Sequence, residues 1–242
     1  MKGREYEYIA KAKTCLQDSI EKGIIIRYSF LKALSKIEWY RRYHPEAPVK
    51  FHDVFFGRYY FDNAILRFYP AGEDLSEFIV AYLKIPERET GKIGESKKSK
   101  ISKASKVGDY LLRQYTNHDV TKRILQLHQN SDWKRIINYR NEWVHEQPPI
   151  FKGEGIRYNR NERWQKGILI EKCGDEALYD LDEMLEYGLN ALRAFFNVLH
   201  YFSEILFRDI ENLGISIDFS KRSLSLNPFQ IPKKDIKNED KE

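Results

Sequence analysis

Between Leu185 and Leu213, the positions Leu185, Gly188, Leu192, Phe195, Leu199, Phe202 and Leu206 keep three- and four-residue steps, and Leu213 follows two helical turns later. That spacing draws one continuous stripe along a helix and cannot be laid on a strand, whose side chains alternate. A stripe this long is buried only where several other helices line it, so the chain is committed to helix-on-helix packing. The same spacing recurs upstream. Ile9, Ala12, Leu16 and Ile20 mark a helix over 5–22, Gly23 a break or kink, and a second run continues over 24–43 until His44-Pro45 stops it. Residues 51–69 form a further helix dense in aromatics, including Phe55, Phe56, Tyr59, Tyr60, Phe61, Phe68 and Tyr69. Apolar groups on more than one face there imply burial in the core or at a dimer contact. Pro70-Ala71-Gly72 predicts a turn, followed by a short helix over 73–85.

Two stretches depart from this pattern. Residues 86–105 have almost no apolar side chains and carry Lys92, Lys97, Lys98, Lys100 and Lys103, a basic loop. Residues 150–174 contain Gly153, Gly155 and then Gly167-Ile168-Leu169-Ile170, an irregular or hairpin insertion. Between them, helical spacing resumes near Val107 with Tyr110, Leu111 and Tyr115. Thr116-Asn117 can cap a helix over 120–129, and Ser131 the next, over 132–146. The predicted fold is an all-α antiparallel helical bundle in a single domain over 1–213. Residues 214–242 follow as a tail whose end is expected to be disordered.

With 42% hydrophobic and 14% aromatic residues the chain has material for a real core. Its net charge of +5 permits a polyanionic partner without demanding one. Two cysteines, Cys15 and Cys173, form no CxxC pair, which points to a reducing compartment and away from a zinc ribbon. No signal peptide or membrane-spanning run is visible, so a cytoplasmic location without membrane partners is expected. No Gly-rich phosphate loop and no nucleophile elbow occurs.

The residues with the most chemistry are Arg140-Asn141-Glu142-Trp143-Val144-His145, just ahead of Pro148-Pro149. Trp133, Ile136, Ile137 and Val144 predict the buried stripe of this helix, with Arg140 on its line. A cation there calls for a partner or a cleft. Asn141 and His145 are four apart and share a face. Arg140 and His145 are separated by about 140° around an ideal helix, too far for one atom to meet both unless the helix ends near His145. Cleaving RNA without a metal requires a proton taken from the 2′-OH, another given to the 5′-oxygen, and a charge to hold the phosphorane. A histidine and an arginine supply such groups. One histidine cannot serve both sides of an in-line displacement, and a symmetric dimer removes that difficulty.

Arg140-Asn141-x-x-x-His145 at a helix end resembles the signature of the HEPN superfamily, the higher eukaryotes and prokaryotes nucleotide-binding domains: an Arg, a polar residue, and a His after four to six intervening positions. The resemblance covers about 107–213, which it implies is the HEPN-like core, with the helices over 5–85 packed on it. It implies a metal-independent, homodimeric endoribonuclease with no cofactor, often a toxin or antiviral effector, and with it an antitoxin or other regulatory protein as partner. Arg140, Asn141 and His145 would be its catalytic set. A non-catalytic helical dimerisation or nucleotide-binding module that regulates a partner protein is the alternative.

Other constellations compete. Glu142-x-x-His145 has the spacing of a di-iron ligand pair, but no second Glu-x-x-His occurs in the chain, so no metal is expected. His200, among Leu199, Tyr201 and Phe202, reads as a satisfied core or interface group. Arg157, Arg160, Arg163 and Trp164 mix cations with a ring able to stack on unpaired bases, and Lys97, Lys98 and Lys100 could hold an RNA backbone. A solvated loop is the alternative reading of both stretches, and the favoured one for the arginine-rich segment.

Overall fold

The computed structural model describes residues 2–43, 51–85, 111, 114–115, 117–145, 149–152, 163–165, 168–170, 179–212, 215–218 and 223–226, the side chains of 2–6, 51–54 and the strand residues excepted. The predicted basic loop over 86–105 lies outside these residues. Helices α1 (Lys2–Tyr43), α2 (Phe51–Tyr82), α3 (Asp119–Gln129), α4 (Ser131–His145) and α5 (Leu181–Asn212) make up most of them. The molecule is the all-α bundle that the apolar spacing predicts. Two short antiparallel hairpins accompany it. One, β1 (Arg163–Gln165) with β2 (Ile168–Ile170), falls inside the expected insertion. The other, β3 (Ile215–Asp218) with β4 (Ser223–Leu226), falls in the stretch expected only as a tail.

Contacts along the helices fix their directions. α1 and α2 are antiparallel: the Ser19 hydroxyl donates to the Ala71 carbonyl (3.0 Å) and Asn63 donates to the Ser29 hydroxyl (2.8 Å). α5 runs antiparallel to α1, with Phe30 against Gly188 and Arg41 paired to Asp182. It runs parallel to α2, with Phe78 stacked on Phe202 and the Tyr82 hydroxyl donating to Asp209 (2.7 Å). α4 lies antiparallel to both: Trp133 stacks on Phe195 and meets Phe68 edge-on, and Tyr139 reaches Phe61 and Tyr179. The core is therefore an aromatic seam between α2, α4 and α5, with α1 closing its other side. The predicted stripe of α5 is buried from Leu185 through Leu206.

Three local expectations give way to packing. Gly23 does not break α1. A Cβ there would lie 3.0 Å from Phe195 Cε1, so the glycine makes room for the Phe195 ring of α5 against α1. Pro70-Ala71-Gly72 is not a turn, because α2 continues through it. Pro70 withholds one N–H from the Leu66 carbonyl, a cost of about 3 kcal/mol in a helix interior. Against it stand the buried contacts of Ala71, Leu75 and Phe78, the Lys22–Asp74 ion pair, and Gly72, whose missing side chain leaves room for the Trp133 ring. Capping also differs. His118 caps α3, its Nδ1 accepting from the Val120 N–H (3.2 Å). Asn130 caps α4 in place of Ser131, its Oδ1 accepting from the Trp133 N–H (2.8 Å). The backbone N–H of the same Asn130 donates to the carbonyls of Gln126 and Leu127, so one residue ends α3 and starts α4.

Candidate functional site at the end of helix α4

The end of α4 is pinned on two sides. Toward α2, the largely buried carboxylate of Asp62 (side chain 15% exposed) accepts from the Tyr139 hydroxyl (2.7 Å), the Trp143 indole N–H (3.2 Å) and the Arg58 Nε (3.2 Å). Arg58 continues the link, donating to the Pro149 carbonyl (2.7 Å) and lying over the Phe151 ring. Burial pushes the Asp62 carboxyl above its usual range, against the lowering effect of its Tyr139, Arg58 and Trp143 partners. Toward α5, Glu142 accepts from the Tyr179 hydroxyl (2.7 Å), and the Phe151 and Tyr179 backbones bridge. Nothing near Asp62 forms a recognisable motif. The one local signal is Arg58 and Asp62, an i,i+4 ion pair set inside an aromatic run.

On this frame stand the residues singled out by sequence. The Arg140 guanidinium lies 4.4 Å from the centre of the Tyr69 ring on α2, and its Nη1 donates to Asn141 Oδ1 at 3.0 Å. Its Nε is enclosed by protein and has no acceptor. Among the described residues no carboxylate pairs with it. Stacking on an aromatic face holds the guanidinium flat without using its N–H groups, so those of Nη2, and the one of Nη1 not given to Asn141, are left for an anion. Asn141 is half-buried. His145 is exposed, the last residue of α4. No hydrogen bond joins Arg140 to His145: the arginine turns to α2, the histidine to solvent.

Two expectations about side chains are corrected. Val144, expected in the buried stripe, is 42% exposed; Tyr139 takes the buried place, with Trp143 packed against the core. The stripe steps by three from Trp133 through Ile136 to Tyr139, and this rotates Val144 outward. His200 is not a core group, being exposed beside Glu204 (3.4 Å). Glu142, half of the di-iron spacing, is engaged by Tyr179, and among the described residues no three His, Cys, Asp or Glu side chains group as metal ligands. Of the RNA-binding candidates, Arg163 and Trp164 fall on strand β1, their side chains outside the described residues. Arg157, Arg160, Lys97, Lys98 and Lys100 lie outside them altogether. Among the described residues no helix is long and apolar enough to cross a membrane.

No protein-family model matches the chain, and neither a curated protein nor a solved structure is detectably similar to it.

Proposed function

We propose that this protein is a metal-independent endoribonuclease of the HEPN type, acting as a homodimer. The reading is supported above all by Arg140, a cation stacked on Tyr69, without a carboxylate partner among the described residues, on the same helix end as the exposed His145. Arg140 binds the non-bridging oxygens of the scissile phosphate, and Asn141 positions it through the Nη1–Oδ1 bond. His145 takes the proton of the 2′-OH as that oxygen attacks phosphorus. The bond from phosphorus to the 5′-oxygen breaks, and that oxygen is protonated by the second copy's imidazole. The products are a 2′,3′-cyclic phosphate and a 5′-hydroxyl. Arg157, Arg160, Arg163, Trp164, Lys97, Lys98 and Lys100 hold the flanking strand, and binding weakens steeply with salt.

The test compares wild type, His145→Ala and Arg140→Ala on single-stranded RNA in EDTA. Cleavage by wild type with loss in both variants is expected. Equal cleavage by all three, or an intact substrate with wild type, overturns the reading. The lack of contact between Arg140 and His145 within one subunit favours a second reading, a non-catalytic nucleotide-binding or dimerisation module. A folded protein that binds RNA or nucleotide and leaves RNA intact would establish it.

A further inference from the structure

The aromatic side chains of α2 divide between two surfaces. Phe61 and Phe68 are fully buried, packed on Phe30 of α1 and on Tyr139 and Trp133 of α4. Phe56 (47% exposed) and Tyr59 (61%) instead stand on the outside, and Tyr28 of α1 (57%) does the same. Lysines knit these rings into one face. The Lys32 ammonium lies 5.4 Å from the centre of the Tyr28 ring, and the Lys36 ammonium 5.9 Å from that of Phe56. Lys32 and Lys36 are four apart, on one side of α1, so the face runs from α1 across to α2. Arg67 extends it: its Nη1 donates to Asn63 Oδ1 and to the Asn63 carbonyl, and the Asn63 amide donates to Ser29, the neighbour of Tyr28.

We infer that this face binds single-stranded nucleic acid, its bases stacked on Tyr28, Phe56 and Tyr59 and its phosphates held by Lys32, Lys36 and Arg67. Charge chooses the occupant. Among the described residues no carboxylate pairs with any of the three cations. Asp62 turns to α4, Asp74 to Lys22, and Glu38, two residues past Lys36, lies on the opposite flank of α1. A cation over an exposed ring gains only about 0.5–1 kcal/mol and keeps its N–H groups for an anion. The ring keeps a face for a base, and every base has a face to offer, so such binding tolerates any sequence. Spacing agrees as well. Lys32 and Lys36 stand about 6 Å apart along α1, a stride close to that between successive phosphates of an extended strand.

Other occupants fit less well. Lysine is depleted from the centre of protein interfaces, and here the lysines lie among the rings rather than around them. A duplex has its bases already stacked on one another and offers none to the rings. Binding of this kind needs no 2′-OH and none of Arg140, Asn141 and His145, so it stands whether or not RNA is cleaved.

Fluorescence anisotropy of the full chain with a labelled oligothymidylate of about 20 nucleotides tests it. This probe lacks the 2′-OH and cannot be cut by the chemistry proposed above, and RNA cleavage is assayed separately. Wild type is expected to bind the single strand and to bind a DNA duplex of equal length more weakly. Tyr28→Leu and Tyr59→Leu, which keep apolar bulk and lose the ring, should each weaken binding about 10-fold, whereas Tyr28→Phe should leave it unchanged. Each cation on a phosphate adds about 0.7 to the salt slope of single-strand binding, so Lys32→Gln with Lys36→Gln should lower that slope by about 1.4. Circular dichroism checks that the variants, altered on the surface, stay folded. A wild type that leaves the oligonucleotide free, or prefers the duplex, overturns the inference. So does binding that survives both leucine variants and the lysine pair, because the strand then lies elsewhere. Capture by anionic phospholipid vesicles in place of the oligonucleotide would make the surface a membrane face and overturn it too. Loss of RNA cleavage with oligothymidylate binding intact counts only against the ribonuclease reading, and the converse counts only against this one.

Discussion

Trp143 on α4 and Asp62 on α2 share a hydrogen bond, indole Nε1 to carboxylate Oδ2 at 3.2 Å, that fastens the last turn of α4 to the bundle. The same carboxylate holds Tyr139 one turn earlier and Arg58 on its own helix, so a single largely buried anion serves three donors.

Removing that anion leaves the buried Arg58 guanidinium without its counter-charge. Asp62→Ala is expected to cost about 3–5 kcal/mol in urea unfolding, whereas Trp143→Phe, which deletes one donor, costs about 1 kcal/mol. Equal costs would show that the carboxylate is not the hub. Proton linkage gives a second readout. Because burial raises the folded pKa of Asp62, the folded state retains a proton that the unfolded chain releases. This group's contribution therefore falls as pH rises from the ordinary carboxylate range to the raised value, and is level above it. Asp62→Asn should flatten that slope.

His128, in the last turn of α3, titrates with the opposite consequence. Burial lowers its folded pKa below the ordinary 6.5, so the unfolded chain takes up the proton first. The stability it contributes is present above about 6.5 and lost as pH falls toward the folded value. Melting temperatures of wild type and His128→Gln should diverge from neutrality down to that value. Parallel curves would contradict the burial.

Gly188→Ala tests the closest approach of α5 to α1. A Cβ there would fall 2.8 Å from Phe30 Cε1 and nearer still to Cζ, and Phe30 is fully buried with no room to withdraw. Overpacking of this kind costs about 1–3 kcal/mol. Gly23→Ala, where the nearest ring atom is 3.0 Å away, should cost less, and urea midpoints order the two.

Arg140→Lys keeps the charge at the candidate site and removes the planar fork stacked on Tyr69. On the ribonuclease reading, cleavage should drop by about 10²-fold or more with the unfolding midpoint nearly unchanged. A variant as active as wild type would mean that charge alone suffices.

The bundle was legible in the sequence wherever one helix face carried the information. The α5 stripe from Leu185 to Leu206 is buried at the positions its spacing marks. Gly23 and Pro70 misled because their local preferences are worth a few kcal/mol at most, less than the packing of Phe195 and Trp133 against the places where a side chain is missing. The β3–β4 hairpin had a period-two signal in Ile-Ser-Ile-Asp and Ser-Leu-Ser-Leu, too short to stand out beside a charged tail. At the candidate site, the angular gap between Arg140 and His145 was readable from helix geometry. The Asp62 cluster was not, since its members come from residues 58 to 149 and only the fold brings them together.

Asn130 makes α3 and α4 an elbow without slack. Its backbone N–H is held by the helix behind it and its side chain by the helix ahead. The joint therefore sets the rotational phase of everything downstream. One residue inserted there would turn α4 by about 100°, enough to carry Arg140 off Tyr69 and Trp143 off Asp62 together. The candidate site is timed by a single asparagine about ten residues upstream, at the other end of a helix of 15 residues, and the length of this stretch of chain matters as much as its chemistry.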